Sequence, residues 1–299
     1  MRSKWEKVRL SELITIKHGY AFKGQYFVDK PTNDVLVTPG NFFIGGGFNN
    51  EKRKYYSGPI YDDFILKSDD IIVTMTDLSK DGDTLGYSAK VPNSDKIRYL
   101  HNQRIGLVNI VQNSVSKDFL YWLLRSQHYH AFIVNSSTGT TVKHTSPSRI
   151  GEFQFLLPSL SEQKKIANIL SSFDDKIEVN NKITNILWSL ISFSYQTIIR
   201  DPSCSQGKLS DISQFVSEKA DCTEASVDSY IGTENIFPNK AGYTFAKSVP
   251  NTGKVTKFSS GDTLISNIRP YFKKIVFAET AGYCSNDVLC FRPKTTENS

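Results

Sequence analysis

The sequence predicts an α+β protein in which two repeated, mainly β domains are separated by a long α-helix of the kind found in coiled-coil spacers. Three observations support this fold class. Short alternating apolar runs broken by turn residues fill the first half of the chain, an uninterrupted helical pattern follows, and segments of the first half recur after it. We place the first domain at residues 1–157, the long helix at 158–200 and a partial second domain at 207–299.

The first domain is predicted to consist mainly of strands. Runs rich in β-branched residues at 35–38, 70–76 and 105–110 lie between Gly, Pro, Asn and Asp residues, which is typical of strands that end in turns. A helix is predicted at about residues 116–134, because apolar residues recur there at helical spacing behind Ser116, a favourable N-cap.

The long helix is predicted to begin just after Pro158, where Ser159 and Glu162 have the spacing of a capping box. Nothing interrupts the helical pattern before Asp201, and about 40 residues at ~1.5 Å each give a helix of about 60 Å. Its apolar seam needs a second helix beside it. We therefore predict a subunit interface formed by Ile166, Ile169, Leu170, Phe173, Ile177, Ile183, Leu187 and Leu190. The alternative is a long helix packed on its own domain.

An internal repeat relates the segments before and after the long helix. Four pairs of short segments match in the same order: 9–13 with 208–212, 40–43 with 234–237, 70–74 with 262–266, and 102–105 with 286–289. We therefore predict that the residues after 207 are a second copy of the first domain. This copy is expected to lack counterparts of the helix at 116–134, of residues 135–157 and of the long helix.

The composition favours a soluble protein with a basic first domain. The formal net charge is +6, and residues 1–157 hold 20 basic and 15 acidic side chains. This excess is expected of a surface that faces a polyanion, although an ordinary basic surface is the alternative. No apolar run approaches the ~20 residues needed to cross a bilayer, and no secretory signal is visible, so we expect a cytoplasmic location with no membrane contact. The four cysteines are expected to be free thiols.

No catalytic motif is found. An adenine methyltransferase would need an Asn/Asp-Pro-Pro-aromatic loop and a Gly-rich turn for its methyl donor, and a nucleotide hydrolase would need a phosphate-binding loop. Glu162-Gln163-Lys164 has the spacing of the end of a nuclease motif, but solvent exposure in the first turn of the long helix explains it better. The five histidines form no convincing site. We expect a non-catalytic protein with no cofactor or metal of its own.

Side chains suited to nucleic acid recur instead in the loops between the predicted strands. Arg pairs with guanine, Asn and Gln pair with adenine, and Lys binds phosphate. We predict DNA contacts in the first domain from Asn41, Lys52, Arg53, Lys54, Thr76, Lys80, Asn102, Gln103, Arg104, Thr140, Thr141, Lys143 and His144. Loops of the second domain add Asn235, Asn267, Arg269, Lys273 and Lys274. An ordinary set of polar loops is the alternative.

The segment that joins the first domain to the long helix resembles a known family. Residues 156–170, which run Leu-Leu-Pro-Ser-Leu-Ser-Glu-Gln-Lys-Lys-Ile-Ala-Asn-Ile-Leu, and their continuation to Glu178 closely resemble the central conserved region of specificity subunits of type I restriction-modification systems. The first domain resembles the target-recognition domain of that family at Trp5, Leu10, Leu13, Gly19, Phe22 and Gly139-Thr140.

This resemblance implies two target-recognition domains that each contact one half of a split double-stranded DNA sequence, with the long helix as spacer. It also implies a division of labour within a complex. Methyltransferase (M) subunits would methylate adenine with S-adenosylmethionine, and restriction (R) subunits would use ATP and Mg²⁺ to translocate and cleave DNA. This chain would direct them to the target.

The sequence departs from the family pattern, because family members have two long helices that pack antiparallel and this chain has one. The resemblance then implies a companion helix from a second specificity chain or fragment. Two other hypotheses stay open. The chain is either an assembly partner of M subunits that does not contact specific sequences, or the recognition domain of a self-contained methyltransferase-nuclease. The DNA target depends on docking geometry, so the sequence does not give it.

Overall fold

The computed structural model describes residues 5–294, so the predicted domain ends at residues 1–4 and 295–299 lie outside the described residues. The chain divides into two compact units, Met1–Trp188 (unit 1) and Ser189–Ser299 (unit 2). The predicted α+β class is confirmed, because strand-rich segments precede and follow one long helix in the chain.

Unit 1 consists of short strands followed by helices. Its elements are β1 (Glu6–Arg9), β2 (Ile14–His18), β3 (Phe27–Val28), β4 (Asp34–Val37), β5 (Lys54–Tyr56), β6 (Ile65–Leu66), β7 (Ile71–Thr74), β8 (Thr76–Asp77), β9 (Ser88–Lys90), β10 (Arg98–His101), β11 (Ile105–Ile110), α1 (Lys117–Leu123), α2 (Gln127–Ser136), β12 (Lys143–His144), α3 (Pro147–Gly151), β13 (Gln154–Leu157) and the start of α4 (Leu160–Ile198).

Two sheets of unit 1 pack on each other. One has the strand order β3-β5-β4-β10-β6 and the other β2-β11-β7-β9. Successive side chains of a strand point to opposite faces, so Val35 and Val37 contact Ile72 between the sheets, whereas Leu36 faces an outer aromatic cluster. The outer face of the second sheet, with Val73, is covered by the helices. Unit 1 therefore has sheet, sheet and helix layers.

The predicted helix at 116–134 is two helices. Ser116 caps α1 as expected by accepting a hydrogen bond from the Phe119 amide at 3.2 Å. The chain then leaves the helical path after α1, and Ser126 caps α2 through the Tyr129 amide at 3.3 Å. Serine hydroxyls satisfy the free amides of a first turn, so the second cap begins a new helix.

The start of α4 agrees with the predicted capping box. The Glu162 carboxylate accepts hydrogen bonds from the Ser159 amide (3.0 Å) and hydroxyl (2.7 Å). The helix continues to Ile198 without a break and is therefore about 58 Å long.

Unit 2 begins with the rest of α4 and continues with two further sheets. Its elements after α4 are α5 (Leu209–Ile212), β14 (Ser213–Phe215), β15 (Lys219–Asp221), β16 (Tyr230–Ile231), β17 (Lys254–Phe258), β18 (Thr263–Ser266), β19 (Ile275–Phe277), β20 (Gly282–Cys284) and β21 (Val288–Pro293). The strand orders are β14-β21-β18-β19 and β15-β17-β20-β16. The four cysteines are free thiols, and three of them are buried in this unit.

Unit 2 repeats the strand order of one sheet of unit 1, the parallel strand pair of the other sheet, and several hydrogen bonds. The pair β16 and β20 is parallel, as is the pair β4 and β10. The Asp70 carboxylate accepts a bond from the Lys67 amide at 2.7 Å, and Asp262 accepts the same bond from the Ser259 amide at 2.8 Å. Asp70 and Asp262 therefore occupy equivalent positions in the two units.

One predicted match between the repeats is displaced by one residue. The turn after β10 closes with a bond from the Ile105 amide to the Asn102 carbonyl, and the turn after β20 closes with a bond from Val288 to Ser285. Asn102 is therefore equivalent to Ser285, and not to Asn286 as the shared Asn indicated. By the same register, the position of Arg104 is occupied by Asp287 in unit 2.

The two units differ in how one sheet face is covered. In unit 1, Leu10 and Leu13 pack under the helices and are 0% and 3% exposed. The equivalent Leu209 and Ile212 of unit 2 are 60% and 68% exposed. Within residues 5–294, no element of unit 2 takes the place of α1 to α3 over these side chains.

Candidate nucleic-acid interface

A groove of about 450 Å³ opens at one edge of unit 1. It lies at the carboxyl ends of β4 and β10, and parallel neighbouring strands bring the loops that follow them to the same edge. The groove is lined by Phe22, Phe27, Thr38, Pro39, Gly40, Lys54, Leu78, Asn102, Gln103 and Arg104. Four of the predicted DNA contacts, Lys54 and the run 102–104, therefore meet in one place.

The turn at 102–104 presents its side chains outward. Gln103 and Arg104 are exposed, and Asn102 is half-buried. The Gln103 amide donates to the Asn102 side-chain oxygen at 2.8 Å and to the Tyr20 carbonyl at 3.0 Å. These bonds of the Gln103 backbone amide fix the turn. They leave the Gln103 side-chain amide and the Arg104 guanidinium exposed to solvent, as contact with base edges requires.

His101 anchors this turn from below. Its side chain is fully buried, and Nε2 lies 2.9 Å from the Ile105 carbonyl oxygen. A carbonyl only accepts, so Nε2 carries the proton. Burial lowers the pKa of His101 to about 4, and the ring is neutral at physiological pH.

The cationic run at 52–54 lies on the rim and wall of the groove. All three side chains are exposed. The Lys54 Nζ sits 4.1 Å from the centre of the Phe27 ring, a cation–π contact that directs it along the groove. Arg53 Nε donates to Asn50 at 3.3 Å. Lys52 and Lys54 thus offer exposed charge suited to phosphate, whereas Arg53 is partly engaged.

The predicted DNA contact at Asn41 is corrected by the structure. Asn41 is 1% exposed, its Oδ1 accepts a bond from the Thr38 amide (2.9 Å), and its Nδ2 donates to the carbonyls of Asn49 (3.0 Å) and Lys52 (2.6 Å). The whole amide group is used to fold the loop. Asn41 therefore positions the lysine run and has no polar atom left for a base.

Asn235 needs the same correction in unit 2. It is 4% exposed, accepts a bond from the Gly232 amide at 2.9 Å and donates to the Phe245 carbonyl at 3.3 Å. The repeated segment was recognised in sequence by this Asn, and the structure shows that it recurs because it closes the same loop.

A second group of predicted contacts comes together beside the groove, because β8 pairs with β12. Thr76 is buried, and its hydroxyl lies 3.2 Å from Nδ1 of His144. Thr76 is therefore a support for His144, which is exposed, and not itself a contact. The exposed side chains of this group also include Lys80, Thr140 and Thr141, while Lys143 is half-buried.

The predicted contacts of the β18–β19 loop in unit 2 divide in the same way. Asn267, Arg269 and Lys273 are exposed, and Arg269 and Lys273 have left-handed backbone conformations with φ of 52° and 51°. The Lys274 ammonium is half-buried and donates to the Thr233 carbonyl at 2.7 Å. Lys274 therefore fastens the loop, and the other three remain available to a ligand.

The first turns of α4 are fastened to unit 1. Gln163 is 0% exposed; it accepts a bond from the Ser116 amide (2.8 Å) and donates to the Ser114 and Pro158 carbonyls (both 2.8 Å). The expected solvent exposure of this residue is wrong. Arg125 also pairs with Asp174 of α4 at 2.5 Å. Neither contact could be predicted from the sequence, because the partners lie far apart in the chain and no spacing pattern relates them.

The apolar seam of α4 is exposed beyond these first turns. Ile166 packs against the core of unit 1, so it belongs to the fold and not to a free interface. Leu170 is half-buried. The other predicted interface residues are exposed by about half: Ile169, Phe173, Ile177, Ile183, Leu187 and Leu190. An apolar stripe of this length on one helix is typical of a surface that binds another helix.

Two features are absent from the residues that the structure describes. Among residues 5–294, no three His, Cys, Asp or Glu side chains are grouped to hold a metal ion. No helix in the same residues has both the length and the apolar character needed to cross a bilayer.

The repeated β units and the long helix define the fold class of type I restriction-modification S subunits. The chain is similar to the crystal structure of such an S subunit from M. genitalium, with a TM-score of 0.52 and 18% identity, covering 98% of this chain and 74% of that one. Among sequence relatives, it is 27% identical over 172 residues to the type I restriction enzyme EcoBI specificity subunit of Escherichia coli. It is 25% identical over 190 residues to the MjaVIII specificity subunit of Methanocaldococcus jannaschii.

The family itself is established by a match over residues 2–187 to the type I restriction modification DNA specificity domain. The chain belongs to this family. It spans a third to two fifths of its two relatives, covering 33% and 41% of their lengths. Specificity subunits of type I systems recognise DNA and are not catalysts.

Proposed function

We propose that this chain is the sequence-specific DNA-binding component of a type I restriction-modification complex. It directs adenine methylation and DNA cleavage by partner subunits to a split target. The groove that gathers Lys54, Gln103 and Arg104 carries the proposal, because it combines a phosphate-binding cation with two side chains that pair with base edges. Phosphate contacts hold the duplex, and the turn at 102–104 selects the sequence.

The second unit supports a split target with two different halves. Its turn at 285–287 has the same closing hydrogen bond as the turn at 102–104, and Asp287 is exposed as Arg104 is. The Asn286 side chain is instead bonded to Lys219 Nζ (2.6 Å) and to the Lys254 carbonyl (3.0 Å). Asp accepts a hydrogen bond from cytosine, whereas Arg donates to guanine. Equivalent positions of opposite charge suit different bases.

The exposed seam of α4 supports a docking role within the complex. M subunits bind there in this proposal, and a second specificity chain or fragment supplies a companion helix. S-adenosylmethionine, ATP and Mg²⁺ belong to the M and R subunits, and the assembled complex acts in the cytoplasm. A role in assembly without sequence recognition is the second candidate, and the length of the exposed seam favours it.

Methylome sequencing of single DNA molecules tests the proposal. Cells carrying this gene with its partner genes should show a split adenine-methylated motif that disappears when the gene is deleted. An Arg104→Ala strain should keep methylation but relax one position of the motif. Methylation that is unchanged by the deletion would refute sequence recognition, and assembly without any motif preference would favour the second candidate.

A further inference from the structure

One apolar side chain of the groove is exposed, whereas the other apolar side chains that line it are buried or half-buried. Leu78 is 67% exposed and lines the groove together with Lys54, Gln103 and Arg104. Phe22 lines the same groove but is 6% exposed, because it packs in the aromatic cluster. Leu78 therefore leaves an apolar side chain in water at the place where the base-contacting groups meet.

The backbone around Leu78 is held firmly. The preceding Asp77 accepts hydrogen bonds from the amides of Ser79 (2.7 Å) and Thr84 (2.5 Å) and from the Thr84 hydroxyl (2.6 Å). Burial alone would raise the pKa of Asp77, but these hydrogen bonds lower it, so the carboxylate stays charged. Strand β8 also pairs with β12 on one side of Leu78. The side chain is presented outward by a loop that cannot easily fold back.

The corresponding loop of unit 2 leaves its strand through the same hydrogen bonds. The Thr74 hydroxyl donates to the Thr76 carbonyl at 2.8 Å, and the Ser266 hydroxyl donates to the Ile268 carbonyl at 3.1 Å. The next amide bonds to the turn after the neighbouring strand, through Met75 to Arg104 and through Asn267 to Asp287, both at 2.9 Å. The two loops therefore start identically.

This second loop also exposes a large, mainly apolar side chain. Tyr271 is 69% exposed, within a short turn bounded by Arg269 and Lys273. Both boundary residues have left-handed backbone conformations, which non-glycine residues adopt at a cost and keep only where the surrounding structure holds them. The loops differ in sequence and length, so what recurs is an apolar side chain held out beside the reading turn.

We propose that Leu78 is a wedge residue that inserts between two adjacent base pairs of bound DNA, and that Tyr271 does the same in unit 2. The inference rests on the proposed function, since it presupposes a duplex in the groove. DNA-binding proteins insert Leu and aromatic side chains at base steps, where they unstack the bases and kink the duplex. Beside Gln103 and Arg104, a wedge opens the step whose edges these side chains contact, so that deformability adds to specificity.

The experiment uses the full chain assembled with its M subunit, and a duplex that carries the motif found by methylome sequencing. 2-Aminopurine replaces successive bases on either side of each half of the motif, because its fluorescence rises when it is unstacked. The adenine that the M subunit flips out for methylation is left unsubstituted, and we expect a several-fold rise at one other step in each half. Leu78→Ala should abolish the rise in one half and leave the other, Tyr271→Ala should do the reverse, and Leu78→Phe should keep both.

A mismatch at the same step gives a second readout. Wild-type complex should bind the mismatched duplex on the order of ten-fold tighter than the paired one, since the unstacking has already occurred, and Leu78→Ala should lose this preference. Val111→Ala is the matched control. Val111 is 51% exposed and follows β11 at the end opposite the turn at 102–104, so its substitution should change neither readout.

The outcomes separate the wedge from the proposed function. Motif-selective binding with no fluorescence rise at any step, or with the same rise in Leu78→Ala, overturns the wedge and leaves the proposed function intact. Loss of M-subunit binding in Leu78→Ala, with unchanged fluorescence, also overturns it and assigns the side chain to a protein contact. The absence of a methylated motif that depends on this gene overturns both.

Discussion

The backbone amide of Ser116 donates a 2.8 Å hydrogen bond to Oε1 of Gln163. This bond ties the N-cap of α1 to the first turn of α4. The buried Gln163 side chain then donates to the Ser114 and Pro158 carbonyls, so three hydrogen bonds hold the first turn of the long helix to unit 1. Gln163 therefore fixes the direction in which α4 leaves the strands of unit 1.

Replacing Gln163 should therefore destabilise unit 1. Gln163→Ala removes the partner of the buried Pro158 carbonyl and of the part-buried Ser116 amide, which costs about 2–3 kcal/mol of unfolding free energy. Urea unfolding measures the change. Asn168→Ala, on an exposed position of the same helix, is the control and should stay within about 0.5 kcal/mol. Equal stabilities of the two variants would show that the buried bonds do not hold the helix.

The repeated leucines of the two units should respond very differently to truncation. Leu10 is fully buried and Leu209 is 60% exposed at the equivalent position. Leu10→Ala creates a cavity under the helices and should cost about 2–5 kcal/mol, whereas Leu209→Ala should cost less than about 0.5 kcal/mol. Hydrogen exchange resolved by unit measures both. A large loss for Leu209→Ala would mean that the exposed face of unit 2 is covered in solution.

The buried His101 predicts a loss of stability in mild acid. In the folded protein burial lowers its pKa to about 4 from the ordinary 6.5, so between these values the unfolded chain binds a proton that the folded chain does not. Stability is therefore complete above about pH 6.5 and falls by up to about 3 kcal/mol as the pH approaches 4. Unfolding free energies from pH 4 to 8 measure the slope.

A glutamine at position 101 tests whether the histidine, and not another titrating group, causes this loss of stability. His101→Gln keeps a donor for the Ile105 carbonyl and has no proton to take up. Its stability should change less with pH in this range than that of the wild type. If both proteins lost stability with the same slope, another group would be responsible for the acid sensitivity.

The sequence predicted the elements that local patterns specify. It was wrong where burial determines whether a polar side chain is free to bind a ligand. The Ser159 and Glu162 capping box and the uninterrupted helix are matched in the structure, because spacing alone specifies them. Asn41 has the composition of a base-contacting residue, but its amide is consumed by the loop. A single sequence does not show which polar side chains lie inside.

The hydrogen bonds of caps and turns account for the other differences. The break between α1 and α2 depends on a second serine cap at Ser126, which lies within an apolar periodicity that continues across it. The repeat match at 286–289 followed a shared Asn, whereas the closing bond of the turn sets the register one residue earlier. Both features are set by hydrogen bonds between residues three apart, which neither an apolar periodicity nor a shared residue type reveals.

The exposed seam of α4 should be required for assembly and dispensable for folding. Ile177 and Leu187 are 58% and 52% exposed, so Ile177→Asp with Leu187→Asp should leave the thermal unfolding of unit 1 unchanged. A charge placed in an apolar helix interface is costly to bury, so co-purification of the M subunit should be lost. Asn168→Asp introduces the same charge on the opposite face of the helix and should assemble normally. Normal assembly of the double variant would exclude the seam as the docking surface.

The groove of unit 1 should separate residues that select sequence from residues that hold the duplex. Gln103 and Arg104 face solvent from a fixed turn, so replacing either by Ala should relax one position of the target by about 1–3 kcal/mol. Lys52→Ala and Lys54→Ala should weaken binding to all sequences alike and lower the salt slope by about one, because each removes a phosphate contact. Binding of the assembled complex to single-base variants of the target, at several salt concentrations, distinguishes the two. A uniform loss across sequences for all four variants would show that the turn at 102–104 holds the backbone and that sequence selection lies elsewhere.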